Sequence, residues 1–395
     1  MEKIFPKKFP IFSQRIPAPL VAFGRVSFLL DIFPKIWYDK EDINTKEIFI
    51  MKKLGKVLLT ILLVIVVVVL AAVGGFKLYD WIAHKDFYDH AKPVFATPGV
   101  HEGFVQQGLD YVEEDETFLA SGYMTDKAKS SRVYAISKDG EKVVYAELLK
   151  KNGEPFTGHA GGVVQNGDFV YVTYASKGNG GLAIFSYSDI LDGGTATQLG
   201  WIPTYVSGAH VDIHNGYLYA GSFYIQKDYE TPQYERMVTP AGDQNYSIIN
   251  VFKIDENAEF GVDTTKPVAV ISSTRCVQGM CFTDDGKVIL STSYGLSTSQ
   301  LFVYDLDKVT KKENHTLTNK AELEEGQKEF TFENVPLYYL DSGSLVETIK
   351  APPMAEELAY VDGRLYVMCE SASNKYIFGK LTSGNDVYAY DMNHA

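Results

Sequence analysis

The sequence predicts an all-β fold, a five-bladed β-propeller with four-stranded blades, preceded by one transmembrane helix. Three observations carry it. A strand–turn–strand pattern recurs five times between residues 107 and 373, the composition is rich in Gly (33) and Tyr (26), and one uncharged run of twenty residues lies on the N-terminal side. β-Branched and aromatic side chains suit a pleated, half-buried surface. With 46% hydrophobic and 22% charged residues over 395 positions, the chain can build a sizeable core.

The elements follow in chain order. Residues 1–50 have no clear period and scattered Pro and Phe, and read as a non-native or disordered extension. Met51-Lys52-Lys53 resembles the opening of a bacterial signal or anchor sequence, so Met51 is the expected start of translation. Residues 51–56 form a basic flank. Val57–Phe76, VLLTILLVIVVVVLAAVGGF, carries no charge. At about 1.5 Å per residue it spans the roughly 30 Å hydrocarbon core as a helix. Its length and the poor match of Ala71-Ala72-Val73 to a cleavage site favour an uncleaved anchor over a signal peptide. Residues 1–56 carry a net charge of +5, which leaves −18 for the rest of a chain whose total is −13. The positive-inside rule then puts the C-terminal domain outside the cytoplasm in a single-pass cell-membrane protein. An acidic domain repels phosphate backbones, which argues against nucleic acid as a partner. Residues 77–92, aromatic and charged, read as a short helical stalk.

Residues 93–395 hold the repeats. The copies open at Gln107, His159, His210, Gln278 and Glu356. Asn166-Gly167, Asn215-Gly216, Asp285-Gly286 and Asp362-Gly363 supply hairpin turns, since these residue types tolerate positive φ. Two further alternating strands follow most hairpins, and packing such sheets around an axis buries both faces. The fifth unit lacks its fourth strand, and the segment Pro93–Pro98 is expected to supply it. Insertions fall at 226–245 and 308–334. The second is charged and reads as a surface excursion with a helical piece, while Gly178–Gly181 reads as a turn.

First strands of propeller blades line the central channel, so their opening residues converge at one mouth. The candidate ligand-binding residues are Gln107, Asp110, His159, His210, Asp212, Gln278, Glu356 and Glu357. Polar groups gathered at a concave site mark a default binding position, although the same groups can serve to bond neighbouring blades and buried water. Asp110, Asp212 and the Glu356-Glu357 pair could supply an acid and a base for hydrolysis. His210 and His214 lie about 13 Å apart on a strand, too far to share a zinc ion. His159 with His210 is a better-placed pair, yet no metal is expected. No cofactor fingerprint is present, and Cys276, Cys281 and Cys369 read as small buried residues rather than ligands.

The first unit, FVQQGLDYVEEDETFLASGY, resembles the glutamine cyclotransferase family of five-bladed propellers in Gln107-Gly108-Leu109 and Ser121-Gly122-Tyr123. Glu356–Val361 is similar to that family's Asn-Glu-Leu-Glu-Tyr stretch. The family's Glu before Ser is Ala120 here, so the resemblance implies architecture and argues against activity. The overall pattern also resembles uncharacterised membrane-anchored propellers of Gram-positive bacteria. The expected function is therefore a non-enzymatic binding module for an extracellular protein, peptide or glycan, with a cyclotransferase-like or glycoside-acting enzyme as the alternative. Tyr enrichment fits such binding, and the 226–245 insertion is the expected partner-contacting edge.

Overall fold

A computed structural model describes residues 45–174, 180–319, 329–382 and 384–394. The chain divides into two compact units, Met1–Ala71 and Ala72–Ala395. In the first, a helix opens at Thr45 and presents exposed apolar side chains from Val57 to Leu70. That helix ends at Ala83 and is long and apolar enough to cross a membrane. Residues 1–44 of the expected extension lie outside the described residues, while Thr45–Ile50 are helical and run on into Met51.

The second unit is all-β and propeller-like. A second helix, Lys85–His90, leads from the end of the long one into the first strand, Ala91–Ala96. Five sheets of four or more strands follow in order. Their innermost strands are Phe104–Val112, Ala160–Asn166, Gly208–His214, Val277–Phe282 and Ala355–Val361. Each lies beside the next, and the last returns to the first.

The reason is burial on both faces. Leu119, Val133 and Leu148 of the first sheet pack on Val170, Val172 and Phe185 of the second. Ile184 of the second sheet meets Leu218 and Phe252 of the third, and Ile249 of the third meets Val288 and Leu290 of the fourth. Leu301 and Val303 of the fourth pack on Leu365, Val367 and Tyr390 of the fifth. Phe118 and Tyr134 close the circuit against Tyr366, Met368 and Ala389. Alternate residues of one strand thus serve two interfaces, as the period of two requires.

The last sheet is completed by the start of the domain: Ala91–Ala96 pairs antiparallel with Asp386–Asp391, Ala91 opposite Tyr390. Pro93, which has no amide to donate, sits at a bulge in this outer strand. Tight turns form where Asn215-Gly216 and Asp362-Gly363 adopt positive φ at both residues. The Asn166 turn slides one place, because Asn166 still pairs with Phe169 and leaves Gly167-Asp168 as the loop. Around Asp285-Gly286 the loop is longer, with Thr283 N–H donating to Lys287 O at 3.0 Å.

Two expectations are corrected. The uniform four-stranded unit holds for three sheets, but the other two are enlarged. Gly194–Thr197 adds a parallel strand to the first sheet. In the third, Phe330–Tyr339 pairs parallel with Ala269–Ser273 and antiparallel with Thr310–Asn319. The described part of the 308–334 insertion is therefore mostly extended, with no helix longer than a single 3₁₀ turn at its start among the described residues. Its apolar face decides this: Leu317, Val335 and Leu337 are buried against Ile248 and Val270. The 178–179 part of the expected glycine turn lies outside the described residues.

Candidate functional site

All five innermost strands carry the same irregularity. Pairing with the second strand shifts register between Gln106 and Gly108, Ala160 and Val163, Gly208 and His210, Val277 and Gly279, and Ala355 and Leu358. A bulge of this kind re-aims the side chain it carries. The re-aimed positions are Gln107, Gly161, Ala209, Gln278 and Glu356, and all five line one cavity of about 540 Å³.

This corrects the sequence-based equivalence in two sheets. His159 and His210 were placed with Gln107 and Gln278, but the bulges put Gly161 and Ala209 there. His159 still lines the cavity, from just before its strand. His210 falls one place deeper and is fully buried, its ring beside Gly221, with neither nitrogen hydrogen-bonded. Burial lowers its pKa to about 3. The two histidines therefore do not form a pair, and among the described residues no His, Cys, Asp and Glu cluster suits a metal ion. His214 ends its strand and stacks on Phe282 at 4.3 Å. The three thiols are free, with Cys281 and Cys369 buried.

At the mouth, small residues in the second and third sheets leave the space that the other three sheets fill with polar groups. Gln107 Nε2 donates to Glu370 Oε2 at 2.9 Å, Tyr376 Oη donates to Glu370 Oε1 at 2.7 Å, and Gln278 Nε2 donates to Glu356 Oε1 at 3.3 Å. Burial raises Glu356 well above the ordinary carboxyl range, and the nearby carboxylates Glu370 and Glu357 raise it further against the opposing pull of Lys375. Burial also raises Glu370, opposed by its hydrogen bond from Tyr376, by the Lys375 charge and by the Gln107 amide. Lys375 donates to the Tyr123 hydroxyl and lies over the Tyr123 and Tyr376 rings at 5.0 and 4.9 Å. His159 packs on Tyr123 at 4.4 Å between ring centroids, and burial, with Lys375 nearby, lowers its pKa to about 4. The 226–245 insertion contributes Tyr229, Glu230, Thr231 and Pro232 to the wall.

Below the mouth lies a second layer. Glu357 is sealed, with 1% of its surface accessible, and does not line the cavity. Its Oε1 accepts the Met280 amide at 2.9 Å, while Oε2 is directed towards the Val211 amide without a well-formed hydrogen bond. The side chain of the fifth sheet thus reaches the third and fourth. It fits because Gly162 and Gly279 have no Cβ: one added at Gly162 would stand 2.4 Å from Oε2, and one at Gly279 2.4 Å from the Glu357 Cα. Asp110 and Asp212 follow at equivalent positions with Cys281 and Ala359. Asp110 accepts the Gln165 amide at 2.8 Å and is pushed up to about 6 by burial. Burial, then the Asp110 charge, raises Asp212. Both keep some accessible surface yet lie deep in the domain.

The eight candidates therefore separate. Gln107, His159, Gln278 and Glu356 meet at the cavity, whereas Asp110, Asp212, Glu357 and His210 do not line it. Tyr123, Glu370, Lys375 and Tyr376 belong to the site and were not singled out. The ESASNKY run after the fifth sheet's second strand is the signal for the last three, and Tyr123 stands in the Ser121-Gly122-Tyr123 stretch of the first unit. Ala120, where the cyclotransferase pattern has an acid, is fully buried among apolar side chains.

No family model matches the chain, and no curated protein matches it. Similar solved structures include a PQQ-bound aldose sugar dehydrogenase from Streptomyces coelicolor, at 12% identity and TM-score 0.38, covering 75% of this chain and 95% of that one. A glucose dehydrogenase-type oxidoreductase from Thermus thermophilus has 10% identity and TM-score 0.39, covering 76% and 98%. BamB from Moraxella catarrhalis has 10% identity and TM-score 0.27, covering 73% and 84%. Superpositions this loose carry no argument about activity. The propeller-like arrangement of this chain rests on its own strand pairing and on the packing of each sheet between two others.

Proposed function

We propose that this chain is a membrane-anchored, extracytoplasmic binding module, a five-bladed propeller that takes a glycan, a peptide or a segment of an extracellular protein into the mouth cavity. The five large sheets are read as the blades, with the two added strand sets as decorations. One observation carries the binding reading: a cavity of about 540 Å³ whose wall alternates aromatic rings with polar groups. Aromatic faces contribute apolar contact with little entropy loss, and a few placed polar groups orient a ligand. The mouth carboxylates are already bonded to Gln107, Gln278 and Tyr376.

The alternative is a glycoside-acting or cyclotransferase-like enzyme. Against it, Asp110, Asp212 and Glu357 lie outside the cavity wall.

The test uses the full chain in detergent micelles, titrated against a glycan array and a library of peptides. In Lys375→Ala and Glu370→Gln, affinity for any ligand captured is expected to fall about tenfold, the equivalent of losing one charge-assisted hydrogen bond. Glu256→Gln, on an exposed turn at the other end of the third sheet, should bind normally. Ligand turnover that Glu356→Gln abolishes, with the fold intact, would overturn the binding reading in favour of the enzyme.

A further inference from the structure

The mouth end and the opposite end of the domain differ in surface chemistry. At the opposite end the hairpin turns expose Asp168, Asp284, Asp285 and Asp362. Around the mouth, three loops expose large apolar side chains, and the exposed acidic groups among them, Asp228 and Glu230, flank Tyr229 on the insertion. The loop that supplies Lys375 and Tyr376 to the cavity continues into Ile377 and Phe378, which are 79% and 66% exposed. The loop with Tyr294 and Gly295 on the cavity wall exposes Tyr294 and Leu296, and the insertion exposes Tyr229. Lys375 and Lys380, both exposed, flank the Ile377-Phe378 tip.

The helix end arrives at this same rim. Within the sheet-bearing unit, His84 is 3% exposed and its Nε2 meets Thr298 Oγ1 at 3.1 Å, on the loop that carries Tyr294 and Leu296. His84 Nδ1 meets Asp80 Oδ1 at 3.1 Å, and Tyr88 Oη donates to Asp80 Oδ2 at 2.8 Å, so the last turn is clamped rather than free. Phe87 is fully buried and stacks on Tyr390 at 5.5 Å. From Phe76, the last residue of the uncharged run, to His84 the helical rise is only about 12 Å. Between them Tyr79 and Trp81 stand exposed, the residue types that settle at a membrane–water interface.

We propose that one side of the mouth rim, formed by the loops of the fourth and fifth sheets, is a lipid-docking surface, with Ile377 and Phe378 entering the interface of the bilayer that the apolar helix crosses. The occupant is the membrane itself, because the chain brings that rim within about two helical turns of its own uncharged run. Lysines beside an apolar tip favour anionic headgroups, while the acidic hairpin turns are kept away from them. This surface goes beyond ligand binding in the cavity. It rests on the reading of the helix as a membrane anchor.

The test reconstitutes the full chain in vesicles of phosphatidylcholine and phosphatidylglycerol. In a Cys276→Ser background, Phe378→Cys or Glu256→Cys carries an environment-sensitive fluorophore. A nitroxide borne on the lipid chains is expected to quench the probe at 378 about threefold more than the probe at 256, as for a residue seated in the interface. Aqueous iodide should show the reverse order. Equal quenching at both sites by iodide, in protein that resists alkaline carbonate extraction, overturns the docking surface while leaving the anchor in place. That holds also where 378 cross-links to 378 of a second copy. Release of the chain by carbonate overturns the anchor reading and the docking surface together.

Discussion

Deleting residues 386–395 is expected to abolish cooperative folding of the sheet domain rather than trim its end. Asp386–Asp391 is an interior strand of the last sheet, hydrogen-bonded on one side to Arg364–Cys369 and on the other to Ala91–Ala96. Without it the closing strand has no partner, and two interfaces open at once. Val387 and Ala389 face the cluster shared with the first sheet, whereas Tyr390 faces the cluster shared with the fourth. Val387, Ala389 and Tyr390 are all buried, with Tyr390 only 1% exposed.

A single substitution calibrates the effect. Tyr390→Ala removes a fully buried ring and its stacking on Phe87, a loss of about 3–5 kcal/mol for a large aromatic in a core. That is a substantial part of the roughly 5–15 kcal/mol by which domains are stable. Deleting the strand adds the lost ladder and the exposed edges, and an unpaired edge templates aggregation. Thermal and urea melts of the full-length protein and the deletion, followed by near-ultraviolet circular dichroism, check this. A single transition at an unchanged midpoint in the deletion would falsify closure by the terminal strands.

That closure was legible because the last repeat is one strand short and a strand-like segment stands before the first. Asn215-Gly216 and Asp362-Gly363 were legible for a local reason: both residues must take positive φ, which few others tolerate. The bulges were not, since a register shift leaves no mark in composition and moves every later residue by one place. This is why Gln107, Gln278 and Glu356 were found, while His210 was assigned to the mouth and Gly161 and Ala209 were passed over. Glu370, Lys375 and Tyr376 come from a loop between the second and third strands of the fifth sheet, where polar residues look like any solvated turn. The pairing of Thr310–Asn319 with Phe330–Tyr339 is hidden by charge, because Lys311, Lys312, Glu313 and Glu333 stand exposed between the apolar residues that fix these strands as extended.

Glu357→Gln is expected to abolish a large part of the fall in stability that the native protein undergoes as pH rises above mild acid. Burial raises the pKa of Glu357, and the charges of Asp212 and Asp110 raise it further against the bond from the Met280 amide. Such a carboxyl keeps its proton where the unfolded chain has already released its own. Its contribution is complete below the ordinary carboxyl value of about 4.3 and is lost as pH climbs through the raised value. Glu356 and Asp212 act in the same sense, and for Asp110 the window runs from 3.8 to about 6. His210 and His159 act oppositely: with pKa values lowered from 6.5 to about 3 and about 4, their contributions are complete above 6.5 and fade as pH falls towards those values. Comparing variant with native protein at each pH cancels the groups that Glu357 does not influence, the two histidines among them, and leaves Glu357 together with the carboxyls coupled to it, Glu356, Asp212 and Asp110.

A carboxamide has the shape of the protonated acid and keeps an oxygen for the Met280 amide, so the variant should melt close to the native protein at pH 5. At pH 9 it should melt higher, by about 2–4 °C for each kcal/mol recovered in a domain of this size class. Glu357→Ala separates charge from shape. It strands the Met280 amide and empties the space between Gly162 and Gly279, which costs about 1–3 kcal/mol for the unpaired donor alone and should lower the melting temperature at both pH values. Differential scanning calorimetry from pH 5 to 9 decides between them. A Glu357→Gln curve that runs parallel to the native one would mean that the carboxyl is ionised in the fold at pH 5, and that the Met280 and Val211 amides outweigh its burial.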